Sequence, residues 1–281
     1  MTVSTYPEDP SSAAIDIQVL PEVDRTQTHV NEHPEMPPTI SIVIPAHNEQ
    51  HNIEPLLWEI HDVLSQLPDA EIIFVDDGSK DQTLAELRRM KRDNIPGLRI
   101  IQHTQSTGQS AAILSGVRAA RGHLIVTLDA DGQNPPSDIP GMVALAQAQP
   151  TGTHFCIAGH RFERQDTRWK KVQSRIANAV RQSILRDGTP DTGCALKVIP
   201  RETWLQLPCF NHMHRFLPAL VQQTGGDVIV QKVSHRSRQF DESKYAMRNR
   251  VGAGLIDMAG VLWLGYRTRI TQVRELSDEQ D

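Results

Sequence analysis

The feature that most constrains the fold of this chain is a regular alternation between short apolar runs and longer segments of helical spacing. ISIVI (40–44) is an almost continuous apolar run, and in IEPLLWEIHDVL (53–64) apolar residues recur every three or four positions. EIIFV (71–75) and the segment 79–92 repeat this pair, with Ser79 as the expected N-cap of the second helix. The same pattern predicts a helix near 109–120 and further strands at 98–102, 123–128, 154–159, 194–199 and 227–233.

Apolar strands that alternate with amphipathic helices indicate an α/β fold, here a Rossmann-like, mostly parallel sheet with helices on both faces. In open sheets of this kind, ligands bind in the crevice beyond the carboxyl ends of the strands. Polar clusters follow three of the predicted strands: PAHNE at 45–49, DDGSKD at 76–81 and DADGQ at 129–133. We therefore expect the three clusters to line one cleft.

The composition divides the chain into four predicted segments. Residues 1–37 are rich in Pro, Glu, Asp, Ser and Thr and lack lysine, which predicts a disordered tail. Residues 38–235 carry the alternation and are predicted to form the main domain. Residues 236–270 form a separate segment that is first basic and then apolar, and 271–281 a second tail.

The net charge of −5 and the pI near 6.2 argue against general nucleic-acid binding. The charge is unevenly distributed, since 161–186 holds eight Lys and Arg against two acids, and 232–250 holds six against two. Local basic surfaces of this kind suit phosphates or an anionic membrane face, although solvated helix faces produce the same pattern.

The remaining composition indicates the compartment. The three cysteines (156, 194 and 209) are widely spaced without a CxxC, which is typical of small core residues in a reducing environment. No secretory signal and no run of about 20 apolar residues is recognisable. We expect a cytoplasmic protein, peripheral at the cytoplasmic face of the membrane.

The DDGSKD cluster has three interpretations. Asp, Gly and Ser are common in turns and helix caps, so one interpretation is purely structural. A carboxylate at a strand end also accepts hydrogen bonds from the N–H of a nucleotide base. Bacterial receiver domains carry paired acids as well, but after their first strand, whereas Asp76 and Asp77 follow the second predicted strand here.

The DADGQ cluster indicates a cation site. Alternate positions after a strand put Asp129 and Asp131 on the same side of the chain, with Gln133 next. Mg²⁺ prefers oxygen ligands and commonly takes one or two carboxylates together with substrate phosphates. A solvated turn would carry similar residues, but the position after a buried strand and before Pro135 and Pro136 favours the metal.

Several motifs together resemble a known family. SIVIPAHNE, VDDGSKDQT, TGQSAAILSGVRAARG (107–122) and LDADGQNPP resemble the nucleotide-sugar domain of family 2 glycosyltransferases. DTGCALKVI (191–199) and HRSRQFDESKYAMRNR (235–250) resemble the polyprenol-phosphate glycosyltransferases in particular, such as dolichol-phosphate mannosyltransferase and its bacterial undecaprenyl-phosphate relatives. The resemblance runs from about Ile40 to Tyr266 and implies the GT-A fold. It also implies that 38–235 form the nucleotide-sugar and acceptor domain, and that 236–270 form an acceptor loop and a helix at a membrane interface.

The resemblance also implies a set of site residues. Asp131 and Gln133 would hold a divalent cation, Mg²⁺ or Mn²⁺, and Arg175 would face the acceptor phosphate. The catalytic residues would be Asp131, Arg175, Arg238 and Lys244. The nucleotide-sugar site would be formed by Pro45, His47, Glu49, Val75, Asp77, Asp129, Ala130, Asp131, Arg161, Arg238 and Lys244. Three positions depart from the residues expected in the family, which bears on base preference and acceptor geometry: His47, His160 and Lys197.

The function implied is inverting, metal-dependent transfer of one sugar from a GDP- or UDP-linked donor to a polyprenyl phosphate. A lipid phosphate is already an anion and needs no general base, but it does need screening from the anionic donor, which Arg and Lys supply. The alternatives are a family 2 enzyme with a hydroxyl acceptor, which would need a catalytic carboxylate, and a catalytically silent nucleotide-binding subunit.

Three further stretches have competing interpretations. VGAGLIDMAGVLWLGY (251–266) suits a buried core helix or a helix lying at a bilayer interface, with a membrane-spanning partner as a further expectation. QDTRW (165–169) fits the QxxRW of processive polysaccharide synthases but lies too close after the DxD. HMHRF (212–216) carries two histidines that more simply belong to a helix surface or cleft wall.

Overall fold

The computed structural model describes residues 39–93, 95–162, 181–185, 187–238 and 250–267. Its strands are β1 Ile40–Ala46, β2 Ala70–Asp76, β3 Leu98–Gln102, β4 Leu124–Thr127, β5 Phe155–Arg161, β6 Lys197–Pro200 and β7 Asp227–Val233. Its α-helices are α1 Ile53–Leu64, α2 Thr83–Arg92, α3 Gln109–Ala119, α4 Ile139–Gln147, α5 Arg201–Gln206, α6 Leu217–Gln223 and α7 Arg250–Arg267.

The seven strands form one sheet in the order β3-β2-β1-β4-β6-β5-β7. β1 pairs in parallel with β2 and with β4, and β5 pairs in parallel with β7. β6 alone among the described strands runs antiparallel to its neighbours, β4 and β5. The predicted mostly parallel α/β sheet is therefore confirmed.

Alternate side chains of the central strands enter two apolar cores, one on each face of the sheet. Ile42 and Ile44 of β1 point into the core formed with α1, α2 and α4, whereas Val43 between them points into the core formed with α3, α5 and α6. This follows from the two-residue period of a strand. The double coverage explains why β1 and β2 are apolar on both faces rather than on one.

The second helix begins later than predicted. α2 begins at Thr83, so the N-cap prediction for Ser79 was wrong. The Ser79 hydroxyl instead accepts the backbone N–H of Asn48 at 2.9 Å, and the Thr83 hydroxyl accepts that of Glu49 at 2.8 Å. The polar residues that suggested a helix cap therefore connect the loop after β2 to the loop after β1.

The C-terminal helix α7 packs one side onto the second core. Val261 is fully buried there, Met258 packs beside it, and the Gln223 amide donates to the Val261 carbonyl at 3.0 Å. The other side of α7 exposes large apolar residues, with Ile256 75%, Trp263 58% and Tyr266 86% exposed. None of the helices in the described ranges is long and apolar enough to cross a membrane.

Candidate active site

The loops after β1 and β2 are joined by polar contacts at the carboxyl edge of the sheet. The His47 ring lies with Nδ1 2.7 Å from the Asp77 carbonyl, and its Nε2 is 3.2 Å from the Asn48 amide nitrogen. Asn48 Oδ1 in turn accepts the backbone N–H of Lys80 at 2.7 Å. The first two predicted polar clusters are therefore in direct contact.

Asp77 is the most densely hydrogen-bonded carboxylate in this region. It is buried, and it accepts from the backbone N–H groups and hydroxyls of the following loop: Thr107 N–H and Oγ1, Ser106 Oγ and Gly108 N–H, each at 2.9 Å, and from His103 Nδ1 at 2.8 Å. Burial by itself raises the pKa of this carboxyl, but the hydrogen bonds from Thr107, His103, Gly108 and Ser106 outweigh it and lower the pKa to about 2. Asp77 is thus a fixed anion that holds the 103–108 loop.

Gly78 is required by the same packing. It has a φ of +63°, and a Cβ at this position would lie 2.5 Å from the backbone nitrogen of Ser106. Only glycine allows the turn after β2 to approach the 103–108 loop this closely. The DDG sequence therefore reflects the contact with the loop as well as the turn itself.

The DADGQ turn follows β4 and carries the candidate metal ligands. Asp129 is half-buried and accepts from the Gln109 amide at 2.7 Å, while Asp131 is buried and accepts the Gln133 backbone N–H at 3.0 Å. Desolvation and the neighbouring Asp131 carboxylate raise the pKa of Asp129, against the lowering effect of nearby cations. The two carboxylates therefore form a crowded, electron-rich pair.

Arg238 joins this turn to the loop after β1. Its Nη2 lies 3.0 Å from Asp131 Oδ2 and 3.4 Å from Glu49 Oε1, and Glu49 also accepts from the Asn52 amide at 2.6 Å. Residues separated by 189 positions in the chain thus meet at one point. The structure brings Glu49, Asp131 and Arg238 together.

Two further cations lie behind the turn. Arg161, at the end of β5, makes a bidentate pair with Asp191 at 2.6 and 2.8 Å. Lys197, at the start of β6, is fully buried and donates to the carbonyls of Cys194 and Thr192. Arg161, Lys197 and Arg238 all lower the pKa of Asp129, so the acidic turn is surrounded by positively charged side chains.

The donor set suits a hard divalent cation. Asp129 and Asp131 supply two nearby carboxylates, and Gln133, whose backbone N–H donates to Asp131, adds a side-chain amide two residues later. No group of three or more His, Cys, Asp or Glu forms a cage among the residues described. Two carboxylates and an amide match Mg²⁺ or Mn²⁺, which keep water and substrate phosphates as further ligands.

The other predicted residues fall into two groups. Val75 and Ala130 are buried, so their side chains belong to the core and only their backbone can face a ligand, whereas Pro45 is half-buried at the cleft. Arg175 and Lys244 lie outside the described residues, as does the QDTRW stretch.

The two histidines of HMHRF line the wall beside α3. His212 pairs with Asp257 of α7 at 3.0 Å, and His214 Nδ1 lies 2.8 Å from the Ser110 hydroxyl. Burial, followed by nearby Arg215, lowers the pKa of His214 to about 3, so the ring is neutral. Both histidines therefore contact protein side chains, and Asp257, the acid within the C-terminal apolar stretch, has His212 as its partner.

The sequence analysis missed two groups of site residues. His103 and Thr107, which hold Asp77, and Gln109, which holds Asp129, lie between the end of β3 and the first residue of α3, in a stretch with no acidic or basic motif. Arg236, which contacts the DADGQ turn, and Glu59, which pairs with Arg236, come from opposite ends of the domain. The glycine-bearing stretch 107–122 was the one available signal for the first group.

Comparison with known proteins places this chain among sugar-transferring enzymes. The family model described as glycosyl transferase family 2 matches residues 41–204. A dodecaprenyl-phosphate galacturonate synthase of Rhizobium johnstonii is 32% identical over 235 residues, covering 82% of this chain and 68% of the relative. An undecaprenyl-phosphate 4-deoxy-4-formamido-L-arabinose transferase of Pseudomonas aeruginosa is 35% identical over 212 residues, covering 74% of this chain and 61% of the relative.

A solved structure supports the fold. The mannosyltransferase of Pyrobaculum calidifontis in complex with GDP-Man and Mn²⁺ superposes with a TM-score of 0.60 at 20% sequence identity, covering 84% of this chain and 67% of that one. At this identity the likeness concerns the fold alone. The curated relatives are longer, since this chain spans about two thirds of their length.

Proposed function

Because this chain belongs to glycosyltransferase family 2, we propose that it transfers one sugar from a nucleoside-diphosphate sugar to a polyprenyl phosphate. The two curated relatives are named for transfer to dodecaprenyl and undecaprenyl phosphate, which supports the acceptor class. The reaction would proceed with inversion and require Mg²⁺ or Mn²⁺. The donor would be UDP- or GDP-linked.

The observation that carries the proposal is the ion pair between Arg238 and Asp131. It brings a cation from the basic segment after β7 against the acidic turn after β4. A diphosphate and a second phosphate are anions that repel each other strongly in a cleft of low dielectric constant. A site that combines carboxylates for a metal with arginines for phosphate suits both anions at once.

The proposed chemistry needs no general base. An oxygen of the acceptor phosphate forms the bond to the anomeric carbon, and the bond from that carbon to the diphosphate oxygen breaks with its electron pair. Asp131 and Gln133, with Asp129 beside them, would hold the divalent cation, which when bound neutralises charge on the leaving diphosphate. Arg238 would then be free to contact phosphate instead of Asp131.

The assignments of Arg175 and Lys244 rest on the resemblance and on the charge of the segments that carry them. We propose that they contact the acceptor phosphate, because they lie in the two basic segments of the chain. His47 and Asp77 would border the nucleotide base and Arg161 the diphosphate. In this proposal the hydrogen-bonded 103–108 loop forms the wall of the nucleotide pocket.

The transferase proposal is tested with labelled donors. UDP- and GDP-sugars are incubated with Mn²⁺ or Mg²⁺ and either a polyprenyl phosphate or free saccharides, using wild-type protein and Asp131→Ala. We expect labelled lipid only with the phosphate acceptor, and none from the folded Asp131→Ala protein. Label on free saccharides would favour the hydroxyl-acceptor enzyme, and no transfer to any acceptor would favour the silent nucleotide-binding subunit.

We also propose that α7 contacts the cytoplasmic face of the membrane, where the lipid acceptor resides. Ile256, Trp263 and Tyr266 form an exposed apolar stripe, and Arg267 stacks over Trp263 at 5.9 Å, which suits an interface with anionic lipid. Flotation with vesicles containing anionic lipid should weaken several-fold in Trp263→Ser. The matched control Trp58→Ser, an exposed tryptophan of α1, should float like wild type, and equal flotation of both variants would contradict the proposal.

A membrane-spanning partner is part of the same proposal. The relatives are longer than the region that this chain matches. In our proposal a separate membrane-spanning protein supplies for this chain what the additional length supplies in those relatives. Co-purification from membranes with and without the Trp263→Ser substitution tests it.

A further inference from the structure

Arg236 holds the DADGQ turn from outside by two of its backbone carbonyls. The Arg236 backbone N–H donates to the Gln133 carbonyl at 3.0 Å, and its side-chain Nε donates to the Gly132 carbonyl. Two successive carbonyls of the turn are thus fixed by one arginine. Gly132 has a φ of +69°, the left-handed conformation that brings these two carbonyls toward the same neighbour.

Arg236 is itself held by a helix. Its Nη2 lies 2.9 Å from both carboxylate oxygens of Glu59, which is on α1. The opposite face of α1 is buried in the core through Leu56, Leu57 and Ile60, so Glu59 is presented by a rigid element. The ion pair is about one third exposed on both sides, which leaves room for substitution without opening the core.

The segment containing Arg236 is attached at two further points. The Ser234 backbone N–H donates to Asp138 Oδ2 at 2.7 Å, just after the turn, and Arg238 contacts Asp131 and Glu49. Arg236 and Arg238 therefore contact the same turn, one at its carbonyls and the other at its carboxylate.

This contact bears on the metal ligands directly. The carbonyls of residues 132 and 133 belong to the two peptide planes on either side of the Gln133 Cα, so fixing them fixes the direction in which the Gln133 side chain leaves the backbone. Mg²⁺ in particular demands near-ideal ligand geometry, and supporting contacts behind metal ligands commonly change metal affinity 10- to 100-fold. The Gln133 backbone N–H donates to Asp131 Oδ1 and its carbonyl accepts from Arg236, so the backbone that carries this amide is held at both of its polar groups.

We propose that Arg236, held by Glu59, is a positioning residue that sets the 131–133 turn for the divalent cation. The inference rests on the metal-dependent function proposed above. It assigns to the segment before the acceptor loop a role in the metal site, separate from phosphate contact. Arg236 touches neither the proposed substrate nor the reacting atoms.

The test measures Mn²⁺ affinity directly, by electron paramagnetic resonance of free Mn²⁺, with full-length protein in the presence of UDP or GDP. Arg236→Gln should weaken Mn²⁺ binding about 10-fold or more, and Glu59→Gln about 3-fold, because the contacts of Arg236 to the turn remain. Arg236→Lys should fall between wild type and Arg236→Gln. The matched control is Arg89→Gln. Arg89, on α2, pairs at 2.8 Å with Glu54, which lies on α1 like Glu59, and this ion pair is away from the turn.

Kinetics supply a second readout. In Arg236→Gln the metal concentration for half-maximal rate should rise about 10-fold, while the rate at saturating metal should stay within about 3-fold of wild type. Thermal unfolding of each variant establishes that it folds. If Arg236→Gln does not fold, the Mn²⁺ affinities of Glu59→Gln and Arg236→Lys test the positioning role instead.

The outcomes separate the two proposals. If wild type binds Mn²⁺ and the folded Glu59 and Arg236 variants bind it as tightly as Arg89→Gln does, the positioning role is overturned and the transferase proposal stands. If wild-type protein with either nucleotide binds no Mn²⁺, both are overturned.

Discussion

Replacing Asp77 by asparagine should destabilise the protein far more than the same replacement of its neighbour Asp76. Both side chains are buried at the end of β2. Asp77 accepts hydrogen bonds from His103, Ser106, Thr107 and Gly108. By contrast, Asp76 accepts only the Ser79 N–H at 3.3 Å, and its Oδ2 has no partner among the described residues.

The magnitude follows from the pKa of Asp77. Lowering a carboxyl pKa from 3.8 to about 2 contributes about 2 kcal/mol to the free energy of unfolding at pH 7. Because the pKa is lower in the folded state, this contribution is complete above pH 3.8 and is lost as the pH falls through about 2. At pH 3 about 1 kcal/mol should remain. Asp76→Asn should cost less than about 1 kcal/mol, because it leaves one hydrogen bond intact.

Urea unfolding of wild type, Asp77→Asn and Asp76→Asn at pH 7 and pH 3 measures these differences. The gap between wild type and Asp77→Asn should shrink by roughly half at pH 3. Nucleotide affinity should fall in Asp77→Asn as well, because the 103–108 loop loses its anchor. Equal stability of the two variants at pH 7, or a gap that does not change with pH, would refute the hydrogen-bond account of this carboxylate.

Three further predictions concern charge near the sheet. Arg238→Ala should tighten Mn²⁺ binding several-fold in the absence of donor, because Asp131 loses its competing cation. Calorimetry with Mn²⁺ alone shows whether the affinity rises or falls. The rate of sugar transfer should decrease in the same variant. The affinity of wild type for Mn²⁺ should rise with pH through about 7, because the raised pKa of Asp129 lets protons compete with the metal below it, and a flat profile from pH 6 to 8 would contradict this. Glu71→Gln should lower the free energy of unfolding by about 1–3 kcal/mol in urea titrations, because Glu71 is buried and accepts hydrogen bonds from Ser41 and Arg99. The transfer rate per folded molecule should change little, because Glu71 lies at the edge of the sheet opposite the cleft.

The strands and the location of the cleft were predictable because their causes are local. Apolar runs such as 71–75 bury both faces of a strand, and parallel strands bring their carboxyl ends to one edge whatever the loops contain. The acids after β2 and β4 could therefore be assigned to the same edge before any contact was known. The predicted strand 227–233 and helix 53–64 agree with the structure to the residue.

The supporting contacts were not predictable for the opposite reason. Glu59 and Arg236 are 177 residues apart, and each alone reads as an ordinary charge on a solvated surface. His103 precedes a polar loop, and nothing in its neighbours indicates that its ring contacts Asp77. Ser79 was assigned to a helix cap because local rules cannot reveal that the backbone of another loop would use its hydroxyl.

The reversed direction of β6 determines which connections can diversify the substrate range. For the parallel strands, the segment after each strand reaches the cleft, but for β6 it is the segment before it, 191–196, that reaches the same rim. Asp191 pairs with Arg161 there, and Lys197 is the first residue of β6. The turn leading from β6 into α5, where the Arg201 side chain bonds the Val117 carbonyl, lies at the far edge. Inserted or exchanged residues should therefore alter acceptor or sugar selection when grafted ahead of this strand and leave it untouched when grafted behind it.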